Sequence, residues 1–269
     1  MVNDARGAMT NDHDGDGNVL AFLALTTALS TPFWVLGSAT GRQLLPGLPL
    51  SALMTVCPLA AAAMLTRRRA GRAGVTALLG RALDARRIPS PAWYLPALLL
   101  NPAVAALAYG WQRAQGVPVP PFEASVVAAS GLALLFLVAA MGEEVGWSGY
   151  ALEPLLRRWG PLGAGLALGA TWAAWHLIPY AQAGRSGEWI AWQCAKTVAS
   201  RVLIVWLYTR AGGSVFAAVL FHASDNLSVF LYPRAGSHYD PRATAIILAM
   251  VIAILVIVDR KHLVRRRQR

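Results

Sequence analysis

The chain has 269 residues, of which 56% are hydrophobic and only 14% are charged. Charged residues make up about a quarter of an ordinary soluble domain, so this composition excludes that class and indicates a polytopic membrane protein. The net charge of +11 does not indicate nucleic acid as a partner, because the arginines cluster at the ends of apolar runs and do not alternate with aromatic residues on one face.

The pattern of apolar residues predicts three parts in the chain. Residues 1–18 are polar and acidic and are predicted to form a disordered cytoplasmic tail. Residues 19–258 form the predicted transmembrane helical domain, and residues 259–269 form a basic cytoplasmic tail.

Eight apolar segments follow one another within the transmembrane domain. Each is close to the ~20 residues that a helical span requires. They lie near residues 19–40, 46–66, 91–111, 124–142, 161–181, 189–209, 212–232 and 242–258. The predicted fold class is therefore all-α, with about eight transmembrane helices in one bundle.

Basic residues are concentrated in alternate connections between these segments. One group of connections, together with the C-terminal tail, carries Arg67, Arg68, Arg69, Arg72, Arg81, Arg86, Arg87, Arg157, Arg158, Arg260, Lys261, Arg265, Arg266, Arg267 and Arg269. The opposite connections carry Arg42, Arg113, Arg185, Arg234 and Arg242. By the positive-inside rule, the richer side faces the cytoplasm. This predicts a multi-pass protein of the cell membrane with both termini in the cytoplasm.

Two adjacent carboxylates, Glu143 and Glu144, end the apolar run of the fourth segment. Ionisable groups at that depth in a membrane are costly and therefore indicate a function. In the fifth segment, Trp172 and His176 are four residues apart and share one helical face. This pair is a candidate partner for the two glutamates.

The seventh segment repeats this spacing with His222 and Asn226. Asp225 points about 100° away from Asn226 on the helix, so we expect it to bond with a neighbouring helix. Counting ~1.5 Å per residue from the cytoplasmic boundaries places Glu143 at ~21 Å, His176 at ~22 Å and His222 at ~18 Å. The three side chains meet at one depth only if the fourth helix continues past the glutamates, although Pro154 interrupts its hydrogen bonding.

A carboxylate, two imidazoles and a carboxamide at one depth are suited to hydrolysis. Glu143 would be the general base for a water molecule, and His222 with Asn226 would donate hydrogen bonds to the developing oxyanion. Glu143, His176 and His222 could instead supply three ligands to a divalent metal such as zinc, although the HExxH spacing of many zinc proteases is absent. Metal-dependent and metal-free mechanisms both stay open.

These motifs resemble the CAAX-protease and bacteriocin-processing (CPBP, abortive-infection-like) family of intramembrane proteases. The resemblance covers about residues 120–232 and rests on Glu143-Glu144, on Trp172-x-x-x-His176 and on Phe221-His222-x-x-x-Asn226. It implies a cavity within an eight-helix bundle, and a catalytic set of Glu143, Glu144, His176, His222 and Asn226. It also implies that Glu143 activates water with the help of His176.

The same resemblance implies an endopeptidase that acts on a membrane-associated or hydrophobic peptide, lipidated substrates included. The expected partners are the lipid bilayer and a peptide or protein substrate. Two other interpretations remain: a small proton-coupled transporter whose relay includes Lys196 and Arg201, and a catalytically silent immunity or scaffold member of the family. The absence of an internal repeat weighs against transport.

The chain departs from the family pattern at Ser148, where the family's EExxxR element has arginine. Glu144 would then find another cation, stay in contact with water, or be protonated. Lys196 and Arg201 lie on the sixth segment but are five residues apart, so at most one of them should point at Glu144. We expect this to be Arg201, because a planar guanidinium suits a buried carboxylate better than an ammonium group does.

Overall fold

The computed structural model describes residues 12–122 and 125–263 and shows an all-α bundle. Its α-helices are α1 (Asp12–Thr40), α2 (Cys57–Gly80), α3 (Tyr94–Ala114), α4 (Val126–Gly146), α5 (Leu152–Gln182), α6 (Gly187–Arg210), α7 (Val215–Leu231), α8 (Pro241–Val258) and α9 (Arg260–Leu263). Short 3₁₀ helices occupy Leu50–Val56, Arg81–Leu83, Ala85–Arg87 and Pro91–Trp93, and a π-helical turn occupies Trp147–Ala151. A small antiparallel hairpin, β1 (Gln43–Leu45) and β2 (Leu48–Pro49), follows α1.

The predicted spans correspond to these helices. In the part of the chain that the structure describes, six helical stretches are long and apolar enough to cross a membrane, and α7 is a shorter apolar helix. One stretch, Val126–Gln182, contains both the fourth and the fifth predicted spans. The prediction of an all-α polytopic membrane bundle is thus confirmed. Large apolar side chains on the outside of the bundle, which lipid would cover, include Val126, Val127, Leu134, Ile254 and Ile257.

The two tails lie mostly outside the described residues. Helix α1 begins at Asp12, within the segment predicted as a tail, and residues 1–11 are not described. At the other end α9 covers the start of the basic tail, and residues 264–269 are not described.

Helix α4 does continue past the glutamates, as the depth argument required. The chain passes through the π-helical turn into the first part of α5, and that part ends at Gly160. There φ is 68°, a left-handed conformation that glycine adopts without strain, and Pro161 starts the second part of α5. Pro154 removes the donor for the carbonyl four residues earlier, and this carbonyl, of Tyr150, lies in the π-helical turn. The wider turn therefore lies where the regular hydrogen bonding is lost.

Small residues let neighbouring helices approach the glutamate region closely. A Cβ atom added to Gly165 would lie 2.9 Å from the Val202 Cα atom, and one added to Gly169 would lie 3.0 Å from the Val198 Cα atom. Gly165 and Gly169 form a small-xxx-small face, a pattern that predicts close helix packing, and the structure shows that the partner helix is α6. On α4, a Cβ atom on Gly142 would lie 2.9 Å from the Thr55 carbonyl oxygen, so the segment before α2 also lies against the site.

The segment Gly71 to Arg87 alternates apolar and basic residues, a pattern that predicts a structural anchor along the cytoplasmic membrane surface. The structure packs part of it against the bundle, because Leu78 and Ala82 are buried. Arg81 Nη1 donates a hydrogen bond to the Gly149 carbonyl in the π-helical turn at 2.8 Å. Asp84 accepts hydrogen bonds from the Ser214 hydroxyl at 2.7 Å and from the Phe216 N–H at 3.0 Å. The segment thus stabilises both the turn after the glutamates and the start of α7.

Candidate active site

Glu143 lies on the wall of an internal cavity and is held by neutral donors. Its side chain is nearly buried, with the residue 5% exposed. The Trp172 indole Nε1 donates to Oε2 at 2.7 Å, and the Thr55 hydroxyl lies 3.2 Å from Oε1. The same hydroxyl lies 3.0 Å from the Ala139 carbonyl oxygen, and its single proton serves one acceptor at a time. These donors fix the direction of the carboxylate without neutralising its charge.

His176 lines the same cavity, and its tautomer follows from its hydrogen bond. Its Nδ1 atom lies 2.8 Å from the Trp172 carbonyl oxygen, one turn earlier on α5. A carbonyl oxygen only accepts, so Nδ1 carries the proton and Nε2 of the neutral ring keeps a lone pair. His176 can therefore accept a proton or a hydrogen bond from a water molecule in the cavity.

Glu144 lies behind this wall in a sealed cluster. It is fully buried and is not among the residues that line the cavity. Arg201 Nη1 donates to Oε2 at 2.8 Å, and the Ser148 hydroxyl bonds to the same oxygen. His222 Nδ1 lies 3.0 Å from Oε1. The hypothesis that Arg201, not Lys196, pairs with Glu144 is confirmed.

Arg201 is also fixed by an aromatic side chain. Its guanidinium carbon lies 4.1 Å from the centre of the Trp172 ring, within the range of a cation–π contact. The indole of Trp172 thus contacts Arg201 with its face and Glu143 with its N–H group. One side chain connects the sealed cluster with the cavity wall.

His222 joins the two glutamates. Its Nδ1 atom faces Glu144, and its Nε2 atom lies 4.0 Å from Glu143 Oε1. Because an ionised carboxylate only accepts, Nδ1 is the donor toward Glu144. Asn226, one turn later on α7, lines the cavity beside His222. The predicted shared face of His222 and Asn226 is therefore present, and it points into the cavity.

Asp225 forms a separate ion pair with Lys196 on α6. This confirms the expectation that Asp225 bonds with a neighbouring helix. Lys196 Nζ bonds to Asp225 Oδ2, and the Ser200 hydroxyl lies 3.5 Å from the same oxygen. The Lys196 and Asp225 side chains are 5% and 8% exposed. Both cations that the transporter interpretation needed are thus held by carboxylates.

The cavity that brings these residues together has a volume of about 250 Å³. Its deep end contains Glu143, His176, His222 and Asn226. The other end lies among the β1–β2 hairpin, the loop between α5 and α6, and the segment after α7. The cavity therefore connects the predicted catalytic residues to one face of the bundle.

The residues do not fit a metal centre. Across residues 12–122 and 125–263, no group of three or more His, Cys, Asp or Glu side chains is placed to hold a metal ion. Of the three ligands considered from the sequence, Glu143 has both of its oxygens facing hydrogen-bond donors.

Two of the contacts that shape this site have no local signal in the sequence. Thr55 precedes α2 and lies 88 positions from Glu143, so no local spacing relates the two. The donor role of Trp172 is likewise a contact between helices. A signal for Thr55 exists only in retrospect: Gly142 is the small residue that lets this segment approach α4.

Two comparisons with known proteins agree with this geometry. Residues 125–228 match the family model described as type II CAAX prenyl endopeptidase Rce1-like. The CAAX prenyl protease 2 of Methanococcus maripaludis is 24% identical over 188 residues, which cover 66% of this chain and 68% of that protein. The matched family region contains both glutamates, His176, His222 and Asn226. Both comparisons therefore support the resemblance to the CAAX-protease and bacteriocin-processing family of intramembrane proteases, over the part of the chain that carries the candidate site.

Proposed function

We propose that this protein is an intramembrane endopeptidase in which Glu143 activates the attacking water. The observation that carries the proposal is the position of Glu143 on the cavity wall, with both oxygens oriented by Trp172 and Thr55. A carboxylate held by neutral donors keeps its basicity better than one paired with a cation. The family resemblance supports the same assignment.

The reaction follows from the positions of the side chains. Glu143 takes a proton from the water, with the His176 Nε2 lone pair as a second acceptor, while the water oxygen attacks the peptide carbonyl carbon. Asn226 donates from its amide group, and His222, whose Nδ1 already donates to Glu144, donates from Nε2 when its ring carries both protons, to the carbonyl oxygen as it becomes an oxyanion. When the C–N bond breaks, the proton passes from Glu143 to the leaving amine, which gives a new carboxylate and a new amine.

Glu144 has a different role in this proposal. It lies outside the cavity and touches no substrate, so it acts through His222, whose ring it orients by the bond to Nδ1. Arg201 balances the charge of Glu144 in place of the arginine that the family has at the position of Ser148. The departure at Ser148 is thus compensated from α6, and this weighs against a catalytically silent member.

The substrates we propose are membrane-associated or hydrophobic peptides, lipidated ones included. Peptide profiles should be compared between membranes of cells that carry the wild type and cells that carry Glu143→Gln. Cleavage products should be present with the wild type and absent with the variant. The exposed carboxylate Glu188 provides the matched control, and Glu188→Gln should give the wild-type profile. Identical profiles for all three would overturn the proposal.

The same assay distinguishes the metal-free mechanism from a metal-dependent one. We expect hydrolysis to persist after a strong chelator has removed bound metal, with removal verified by elemental analysis. Loss of activity that added zinc restores would replace the water mechanism above with a metal-dependent one.

We further propose that the protein lies in the cell membrane with both termini in the cytoplasm. Support comes from the positive-inside rule, since the arginine-rich connections lie on one side of the predicted spans. The loops that line the cavity belong to the arginine-poor side, so the cavity would open away from the cytoplasm. A reporter that is active only in the periplasm should be silent when it is fused after Arg269. A strong signal would reverse this orientation.

A further inference from the structure

Arg185 lies in the loop between α5 and α6, at the open end of the cavity that contains Glu143. Its guanidinium carbon lies 4.7 Å from the centre of the Trp189 ring, on the first turn of α6. On another side it meets the turn of the β1–β2 hairpin, where a Cβ atom added to Gly47 would lie 3.1 Å from Nη2. An aromatic face and a glycine turn thus hold the guanidinium at the cavity wall.

Arg185 differs from the other partly buried arginines in having no carboxylate partner. Among the described residues, the arginines that form ion pairs with carboxylates include Arg81, Arg87, Arg201 and Arg210. For Arg185, the same part of the chain provides no carboxylate within ion-pair distance, and the residue is only partly exposed. Burial lowers the pKa of Arg185, and no neighbouring charge offsets this effect.

A guanidinium that is partly desolvated and unpaired is a binding site for an anion. It presents several N–H donors in a plane, and this arrangement matches the two oxygens of a carboxylate. The cation–π contact fixes the plane of the donors but uses none of them. The polar edge of Arg185 is therefore available to a molecule in the cavity.

We propose that Arg185 binds a carboxylate group of the peptide substrate, and so selects substrates that carry one near the cleaved bond. This inference rests on the proposed protease function. A peptide is favoured over an anionic lipid headgroup because Arg185 shares its cavity with Glu143 and His176, and the hairpin and α6 enclose it. The carboxylate can be the end of the peptide chain or an acidic side chain.

Binding of short peptides without turnover provides the test. Purified Glu143→Gln protein in detergent is titrated with N-acetyl-trileucine as the free acid and as the amide, and tryptophan fluorescence is followed because Trp175 and Trp189 line the cavity. A hydrogen bond to a charged group corresponds to a preference of about tenfold to a hundredfold, so the acid should bind that much more tightly. A third peptide amide with a central aspartate distinguishes a side-chain carboxylate from a chain end. Equal binding of all three peptides would overturn the proposal without any substitution at Arg185.

Substitutions then assign the preference to one residue. With Arg185→Gln added, the acid and the amide should bind within about twofold of each other, whereas Arg185→Lys should retain part of the difference. Arg42, an exposed arginine outside the cavity on the same face, is the matched control, and Arg42→Gln should retain the full preference. A preference that survives Arg185→Gln would overturn the proposal.

Two further outcomes are decisive. Phosphatidylglycerol that binds through Arg185, together with an absent peptide preference, would assign the site to a lipid headgroup and overturn the proposal. Since binding is measured in an inactive variant, an intact preference in a protein that never hydrolyses peptides would refute only the protease function. Hydrolysis without a carboxylate preference would refute only the role of Arg185.

Discussion

Glu143 and Glu144 are neighbours in the chain, yet they lie in opposite kinds of environment. Glu143 faces the cavity and is oriented by an indole and a hydroxyl, which are both neutral. Glu144 is sealed from the cavity and is bound by Arg201, Ser148 and His222. A carboxylate whose charge is balanced and whose oxygens are saturated is a poor base, whereas an oriented but unbalanced one is a good base. The comparison suggests that one glutamate performs the chemistry and the other holds the site in place.

Substitution of each glutamate by glutamine should separate these two roles. Glu143→Gln preserves shape but removes the base, so we expect hydrolysis to fall by ~10²–10⁴-fold. Thermal melting in detergent should stay close to that of the wild type. Glu144→Gln leaves the buried Arg201 without a counter-charge, so we expect a loss of ~3–5 kcal/mol in stability.

Two outcomes would contradict this assignment of catalysis to Glu143 and of stability to Glu144. A Glu143→Gln protein that melts early, with hydrolysis per folded molecule unchanged, would make Glu143 a structural residue. A Glu144→Gln protein as stable as the wild type would show that Glu144 is neutral in the native protein.

The pairing of Glu144 with Arg201 can be predicted from the sequence. The spacing of Lys196 and Arg201 on one helix allowed only one of them to face Glu144, and the chemistry of the guanidinium favoured Arg201. The apolar helices and the shared faces of Trp172 with His176 and of His222 with Asn226 follow from hydrophobic length and helical periodicity. These features depend on a single helix at a time, so the sequence alone is enough.

Contacts between distant segments could not be predicted where no charge has to be balanced. Thr55 reaches Glu143 only because glycines on α4 allow the segment before α2 to pack closely. The π-helical turn at Trp147–Ala151 and the short β1–β2 hairpin also have no periodic signal. The contact of Arg81 with Gly149 joins a segment predicted at the membrane surface to the turn after the glutamates. Such features arise from tertiary packing, which overrides local preference.

Substitution of Arg201 should also cause a large loss of stability, because Arg201 is the cation of the sealed cluster. Arg201→Leu removes the cation from a carboxylate that has no access to solvent, and we expect a loss of ~3–5 kcal/mol in stability. Ser148→Arg in the same background should recover much of this loss, because residue 148 lies one helical turn from Glu144 and already bonds to it. Melting of the single and double variants in detergent is the measurement.

The Ser148→Arg single variant is the control for this rescue. Ser148 is fully buried, so Ser148→Arg alone should destabilise the protein by overpacking and by placing two cations beside one carboxylate. Rescue only in the Arg201→Leu background would show that the two positions supply the same charge. Additive losses would mean that position 148 cannot replace α6 as the source of the cation.

Thr55 contacts Glu143 on the cavity wall, and its substitution should lower hydrolysis by less than Glu143→Gln does. Thr55→Val keeps the shape and removes the hydroxyl that lies 3.2 Å from Glu143 Oε1. One hydrogen bond to a charged group contributes ~1.5–3 kcal/mol, so we expect hydrolysis to fall by about tenfold to a hundredfold. Thr55→Ser should retain the donor and most of the activity. Equal rates for Thr55→Val and the wild type would show that the hydroxyl serves the Ala139 carbonyl instead.

Asp84 is a third carboxylate, and it provides the smallest expected effect. It lies outside the site, where it accepts from the Ser214 hydroxyl, from Val215 N–H and from Phe216 N–H at the start of α7. Loss of such an N-terminal cap costs ~0.5–2 kcal/mol, so Asp84→Ala should destabilise less than Glu144→Gln. Hydrolysis per folded molecule should be unchanged, because His222 lies two turns further along α7.

Asp84 and Glu144 differ in burial, and this difference should determine how much stability each substitution costs. Asp84 is 11% exposed at its side chain, and Glu144 has none of its surface exposed. Water can therefore solvate the partners that Asp84→Ala leaves behind, whereas Arg201 has no such replacement when Glu144 is changed. If Asp84→Ala were as destabilising as Glu144→Gln in the same melting experiment, depth of burial would not determine the cost. The difference between the sealed cluster and the cavity wall would then need another physical basis.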